Sequence, residues 1–521
     1  MMPAGPEFVG SKPPEVALSR RRFVRGIARA SVAFAGWSGG RRIARAAPAP
    51  PSGIPASTDT TEDTLYVSAT RIAELIRGRK ISSVEAVRAC IARIEAVNPA
   101  INAVVMTCFD RALAEAKAAD EALARGQTLG VLHGVPMTIK DSLDTAGVVT
   151  TGGTLGRIRY VPKQDATAVA RVRKAGAILL GKTLTPEFTL ANLPGISSAS
   201  NLLNGLVRNP YNLEHNASAS SGGAGAIVAA GGSFFDIGWD FGVSIRGPAH
   251  VNGIAGLKPT TGRVPRTGHI IGYGGVYDSY QQIGPLARRA EDLNLILRVI
   301  AGPDFRDAAI VPAPLMDPGR VEVAKLRVAY YYSAPIGDST GDTKAVIKRA
   351  VDALAAAGAR TREDIHPYYQ EAIDLRAAFR AAEGNSTIRR LADKWGTKTL
   401  AGQYNFTPNG VSAAGFVEML ERQDRYRSAM LSWFKDYDVI VCPDAVSPAT
   451  LLHDVGPANL YYNSIYNITG WPAGVVRGGT SEVGGLPIGV HIIAPPFRED
   501  VVLATAAFLE RQLGGYQRPP I

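Results

Sequence analysis

Short apolar runs of strand length alternate with amphipathic stretches of helical period along most of the chain, and this alternation restricts the fold more than any other feature. Ser82-x-x-Glu85 reads as a capping box opening an amphipathic helix that reaches about Val97. Ile101 to Met106 reads as a strand, Asp110 to Arg125 as an Ala-rich helix and Val135 to Ile139 as a buried strand. Asp165 to Lys174 reads as a helix leading into the strand Ala177 to Leu180. The alternation returns after Leu326, with helices near 342–357 and 411–434 and strands at Val439 to Cys442, Gly474 to Val476 and Leu486 to Ile493. A helix at 499–512 closes the chain. Such a pattern predicts an α/β layer architecture with a mainly parallel or mixed sheet. No shift in composition marks an internal boundary, so residues 57–521 are expected to form one large domain.

The ends of the chain differ in charge. Residues 1–46 hold nine Lys/Arg against two Glu, so +7 of the net +11 lies there and only +4 is left for the rest. A remainder that small predicts no nucleic-acid footprint. Ser19-Arg20-Arg21-Arg22-Phe23-Val24-Arg25 resembles the twin-arginine export signal, and the weakly apolar stretch Gly26 to Trp37 follows it. Ala44-Arg45-Ala46 offers small residues for cleavage ahead of a Pro-rich linker over residues 47–56. The expectation is an exported, periplasmic or secreted bacterial protein with no membrane-spanning helix.

Several apparent motifs carry no chemistry. Cys90, Cys108 and Cys442 are too few and too scattered for a disulfide framework and read as core residues. The seven His show no metal-ligand spacing, so neither a metal nor a cofactor is expected. Gly176-Ala-Ile-Leu-Leu-Gly181-Lys182-Thr183 matches the phosphate-loop pattern in letters, but its Ala-Ile-Leu-Leu should be the buried strand itself rather than an open turn. Gly36-Trp-Ser38-Gly-Gly40 matches a nucleophile elbow, yet it lies in the leader with no strand before it.

A serine hydroxyl needs a base within hydrogen-bond reach, and where His is lacking a lysine held neutral by burial can serve. Lys140 ends the apolar run Val135 to Ile139, although local sequence alone favours a surface lysine paired with Asp141. Ser218-Ala219-Ser220-Ser221-Gly222-Gly223 precedes the Ala-rich stretch Ala224 to Ala230, a loop-to-helix junction that presents backbone N–H groups. Gly238-Trp239-Asp240-Phe241-Gly242-Val243-Ser244-Ile245-Arg246 reads as a strand ending in a turn that displays a serine.

Together these segments resemble the amidase signature family, with its Val-Pro-x-x-x-Lys-Asp strand, Gly-Gly-Ser-Ser-Gly-Gly loop and Gly-Thr-Asp-x-Gly-Gly-Ser-Ile-Arg turn. Thr185-Pro-Glu187-Phe188, Asn209-Pro210, Gly256 to Thr260, Asn467 to Pro472 and Gly485 to Val490 match as well. The resemblance implies a central mixed, twisted β-sheet covered by helices on both faces. It also implies a Ser-Ser-Lys triad, with Ser244 as nucleophile, Ser220 as proton bridge beside a cis peptide bond, and Lys140 as base. The backbone N–H groups of Phe241, Gly242, Val243 and Ser244 would form the oxyanion hole. The implied partner is a small amide, with esters and carbamates in the family's range, and homo-oligomers are compatible with it. The same signature occurs in the ammonia-supplying subunit of tRNA amidotransferases, a role that an export signal opposes. Three departures stand out: Ser218-Ala219 for Gly-Gly, Trp239 for Thr, and Val243 for Gly before the nucleophile. The last raises a third reading, a catalytically impaired binding protein, because a β-branched residue at positive φ would be strained.

Overall fold

Proline and glycine punctuate apolar segments whose buried faces need cover, and the chain meets that need with one large sheet. The computed structural model describes residues 64–521 apart from 274, 403, 405, 407–410 and 457–460. The leader and linker expected over residues 1–56 lie outside the described residues. Strands β1 (Val104–Thr107), β2 (Pro136–Lys140) and β3 (Ile178–Thr183) come first, followed by a two-stranded ribbon of β4 (Ser200–Asn201) and β5 (Gly205–Leu206). Then follow β6 (Phe235–Asp240), β7 (Ala255–Lys258), β8 (Gln282–Ala287), β9 (Arg327–Tyr330), β10 (Arg360–Glu363), β11 (Val439–Pro443), β12 (Ala473–Thr480) and β13 (Pro487–Ile493). Eleven of them form a single sheet in the order β1-β3-β2-β6-β8-β7-β12-β13-β11-β9-β10. Parallel pairs (β3–β2, β2–β6, β11–β9, β9–β10) flank an antiparallel centre, so the sheet is mixed.

Strands β2, β3, β6, β8, β11 and β13 are buried at every residue, the burial pattern of a sheet covered on both faces. The expected capping box is present: Glu85 N donates to Ser82 Oγ at 3.1 Å and Ser82 N to Glu85 Oε2 at 2.8 Å. That helix runs to Ile101 rather than Val97, carrying Pro99 inside it, and ends at a left-handed Asn102 (φ 54°). The strand expected from Ile101 therefore starts only at Val104. The apparent phosphate loop is strand β3, as its apolar residues require, and Lys182 on it is buried against Leu143 O (2.5 Å) and Thr145 Oγ1 (2.6 Å).

Two parallel pairings position the site. Thr138 pairs with Asp236 and Ile139 with Ile237, so the carboxyl ends of β2 and β6 lie side by side, with Lys140 on one and the turn after Asp240 on the other. The helix Gly222–Ala229 begins beside them. Its Gly223 permits the close approach: a Cβ there would lie 2.6 Å from Leu184 N and 2.7 Å from Ala103 O.

Candidate active site

Lys140 is wholly buried, with a relative exposure of 0%. Its Nζ donates to Ser220 Oγ at 2.6 Å and Ser221 Oγ at 2.9 Å, and lies 3.5 Å from Trp239 O. Burial pushes its pKa down to about 7, against the opposing charges of Asp240 and Asp236. Asp240 is already engaged by Arg246: the guanidinium donates from Nε (3.1 Å) and Nη2 (3.0 Å) to the two carboxylate oxygens. The alternative of a surface lysine paired with Asp141 is therefore overturned. Asp141 instead accepts from Thr151 N and Oγ1.

Ser220 ends the loop ahead of the helix Gly222–Ala229, and the Ala219–Ser220 peptide bond is cis. Ser218, where the family pattern has Gly, sits at φ 60°. Its N–H donates to Asn216 Oδ1 (2.9 Å), its carbonyl accepts from Ala199 N (2.9 Å), and its Oγ accepts from Tyr461 Oη (3.0 Å). Ser221 N donates to Ser244 O at 3.2 Å, tying this loop to the turn after β6.

That turn is held from beneath. Asp240 Oδ2 accepts from Ile245 N (3.0 Å) and Oδ1 from Asn467 Nδ2 (3.0 Å), while Arg246 Nη1 donates to Asn463 O (2.8 Å). Among the described residues, the N–H groups of Gly242, Val243 and Ser244 donate no bond to the protein. They are free to serve an incoming oxygen. Val243 is not in the left-handed region, so the β-branched residue carries no strain of that kind. Trp239 is buried, donates from Nε1 to Gln281 Oε1 (2.9 Å) and stacks on both Phe241 and His269.

A cavity of about 210 Å³ opens over the turn and is lined by Ser220, Ser244 and the three residues Phe241, Gly242 and Val243. The structure thus gathers Lys140, Ser220 and Ser244 with all four expected oxyanion-turn residues. Sequence reasoning missed the opposite wall, where Arg376, Arg380 and Glu383 face the cavity. They stand at i, i+4 and i+7 on the helix Tyr369–Glu383, a spacing that could have exposed them as one face. Among the described residues no group of three or more metal-ligating side chains occurs. The three cysteines are free; Cys90 and Cys442 are buried, but Cys108 is only half-buried, at the start of the helix Phe109–Ala124.

Lys140 thus ends β2, Ser244 lies in the turn after the neighbouring parallel strand β6, and Ser220 stands in the loop before the helix Gly222–Ala229. The chain belongs to the amidase signature family, whose model (Amidase) matches residues 85–503, and it is a hydrolase of carbon–nitrogen bonds. It is 34% identical to an indoleacetamide hydrolase of Bradyrhizobium diazoefficiens over 86% of each chain. It is 33% identical to a glutamyl-tRNA(Gln) amidotransferase subunit of Moorella thermoacetica, over 87% of this chain and 98% of that one. Among solved structures, 6-aminohexanoate cyclic dimer hydrolase superposes with a TM-score of 0.75 at 28% identity, over 88% of this chain and 99% of the other.

Proposed function

We propose that the chain hydrolyses a small carboxylic amide through an acyl-enzyme on Ser244. The observation that carries this reading is the 2.6 Å contact between a fully buried lysine amine and Ser220 Oγ, in the wall of a cavity that Ser244 also lines. In the neutral form, Lys140 Nζ takes the proton of Ser220 Oγ as Ser220 Oγ takes that of Ser244. Ser244 Oγ adds to the amide carbon, and the negative oxygen that forms is received by the N–H groups of the 241–244 turn. The C–N bond then breaks as Ser220 gives a proton to the nitrogen and takes one back from Lys140, so that the amine or ammonia leaves and Lys140 is neutral again. Water, deprotonated through the same relay, adds to the acyl-Ser244 ester; as the acid leaves, the proton passes back through Ser220 to Ser244 Oγ, and Lys140 is again neutral.

The tRNA-amidotransferase reading is favoured by a relative as similar as the hydrolase. The export-type leader and the small residual charge of the rest of the chain support instead a free-standing enzyme working outside the cytoplasm, without nucleic acid. The test uses purified protein alone, with a panel of amides, esters and carbamates. Ser244→Ala should abolish amide turnover, and a slow substrate should leave its acyl mass on Ser244 in the wild type. Undiminished turnover in the variant, or an adduct elsewhere, sinks the assignment. Activity seen only after adding the other amidotransferase components would favour the tRNA-amidotransferase reading.

A further inference from the structure

The cavity wall facing the oxyanion turn carries more positive charge than the reaction described above requires. Arg376 and Arg380 both line it, one helical turn apart on the helix Tyr369–Glu383. Like charges at that spacing repel each other. Among the described residues, no carboxylate lies within ion-pair distance of either guanidinium, and neither guanidinium makes a hydrogen bond. The acid on the same wall, Glu383, is already engaged: it accepts from Tyr277 Oη (3.0 Å), Ser386 Oγ (3.0 Å) and Thr387 N. Burial and the charge of Arg380 together push the Arg376 pKa down to about 10, against the opposing influence of Tyr280 and Asp240.

Arg376 is also close to the chemistry. A Cβ on Gly242 would lie 2.6 Å from Arg376 Nη2, so the guanidinium rests against the 241–244 turn, two residues from Ser244. Cations drawn out of water are ordinarily paired. Arg376 is half-buried, and its guanidinium, without an ion-pair partner among the described residues, lines the cavity. A guanidinium offers a planar fork matched to the two oxygens of a carboxylate, which an ammonium does not.

We infer that Arg376, with Arg380 on the solvent side of it, binds a carboxylate of the substrate, so that the preferred amides are anionic and carry their carboxylate within reach of the scissile bond. This rests on the amide-hydrolase reading above and deepens it to a substrate class. Arg376 acts here as a specificity-determining residue.

The experiment compares matched pairs. Glutaryl-4-nitroanilide is set against pentanoyl-4-nitroanilide for a carboxylate on the acyl half, and 4-acetamidobenzoate against acetanilide for one on the amine half. In one of the two pairs the wild type should favour the carboxylate member, chiefly through KM. Arg376→Gln should shrink that preference on the order of 10- to 100-fold, the range for a hydrogen bond to a charged group. Arg376→Lys should keep part of it. Binding of the same four compounds to Ser244→Ala, with and without Arg376→Gln, is measured by calorimetry. Ser244-dependent hydrolysis with no carboxylate preference in either pair overturns the inference and leaves the hydrolase reading standing. Arg376-dependent carboxylate binding without any hydrolysis does the reverse. An equal fall in kcat for charged and neutral members in Arg376→Gln assigns the guanidinium to the oxyanion and also overturns the inference. If Arg376→Gln does not fold, the wild-type preference and the Arg376→Lys variant decide.

Discussion

Lys140 can act as a base only while its amine is unprotonated, and the fold supplies that condition by burying it. A folded pKa of about 7, against 10.5 for an exposed lysine, means the neutral fraction grows as pH rises through neutrality. Provided Lys140 limits the rate, kcat/KM should climb roughly tenfold between about pH 6 and about pH 8 and then level off. A profile that falls over that range would count against the lysine. Lys140→Arg keeps the charge but cannot give up its proton, and Lys140→Met keeps much of the volume without a base. Both should lose on the order of 10³-fold or more in kcat. Near wild-type turnover in either variant means that Lys140 is not the base. At position 243 the isopropyl group packs toward the helix Arg246–Val251, where its Cγ1 would lie 2.6 Å from a Cβ placed on Gly247. Val243 lines the cavity without left-handed strain, so its effect falls on shape rather than on the backbone. Val243→Gly should raise kcat/KM for a bulky acyl amide relative to a slim one. An unchanged ratio would show that Val243 does not shape the acyl site.

The turn that carries Ser244 is one element with β6 before it and the helix Arg246–Val251 after it, pinned by the buried Asp240–Arg246 pair. Burial alone would raise the Asp240 carboxyl, but Arg246 and Asn467 hold it well below the usual carboxylate range. Asp240→Asn removes the charge opposite a guanidinium with no exposure to water, so it should destabilise the fold by about 3–5 kcal/mol. Turnover should fall with it, because Asp240 Oδ2 also accepts the Ile245 N–H next to Ser244. Denaturant unfolding and kcat measured on the same variant check both effects; intact stability would mean that the pair is not what holds the turn. At this scale the sequence was most legible. Segments whose chemistry is local could be read directly: the Lys140 strand end, the Ser220 loop and the Ser244 turn all sit where their own residues put them. The opposite wall could not be read. The helix Tyr369–Glu383 turns Arg376 and Arg380 toward a cavity, and charged residues on the inward face blur the apolar stripe that would reveal a helix. Lys140 itself was ambiguous, because burial at a strand end depends on its neighbours β3 and β6, which the local sequence does not contain.

At the scale of the whole molecule, the sheet cannot be completed until the chain is nearly finished. Strand β7 pairs with β12, joining Lys258 to Ala473, and β13 must then pair with both β12 and β11. Arg93 Nη2 donates to Ile521 O at 2.6 Å, closing a helix near the start of the described residues onto the last residue. A protein held by contacts of such long sequence separation folds late and is aggregation-prone until it does. An export route that carries folded protein suits it, and Arg20-Arg21 with the apolar stretch after them is the kind of leader that addresses one. The sheet, Lys140, Ser220, Ser244 and the cavity are all built from residues 64–521. Removing residues 1–46 should therefore leave folding and kcat unchanged within about twofold, since substitutions away from packed or catalytic groups usually cost little. Replacing Arg20 and Arg21 by Lys keeps the leader's charge while removing the pair itself. In the native host this should retain the precursor in the cytoplasm as folded, active enzyme, while the wild type is recovered outside it with the leader cleaved near Ala46. Fractionation with activity assays and N-terminal sequencing distinguishes the outcomes. An intact wild-type N-terminus on active cytoplasmic protein would overturn the export reading and restore weight to the tRNA-amidotransferase reading.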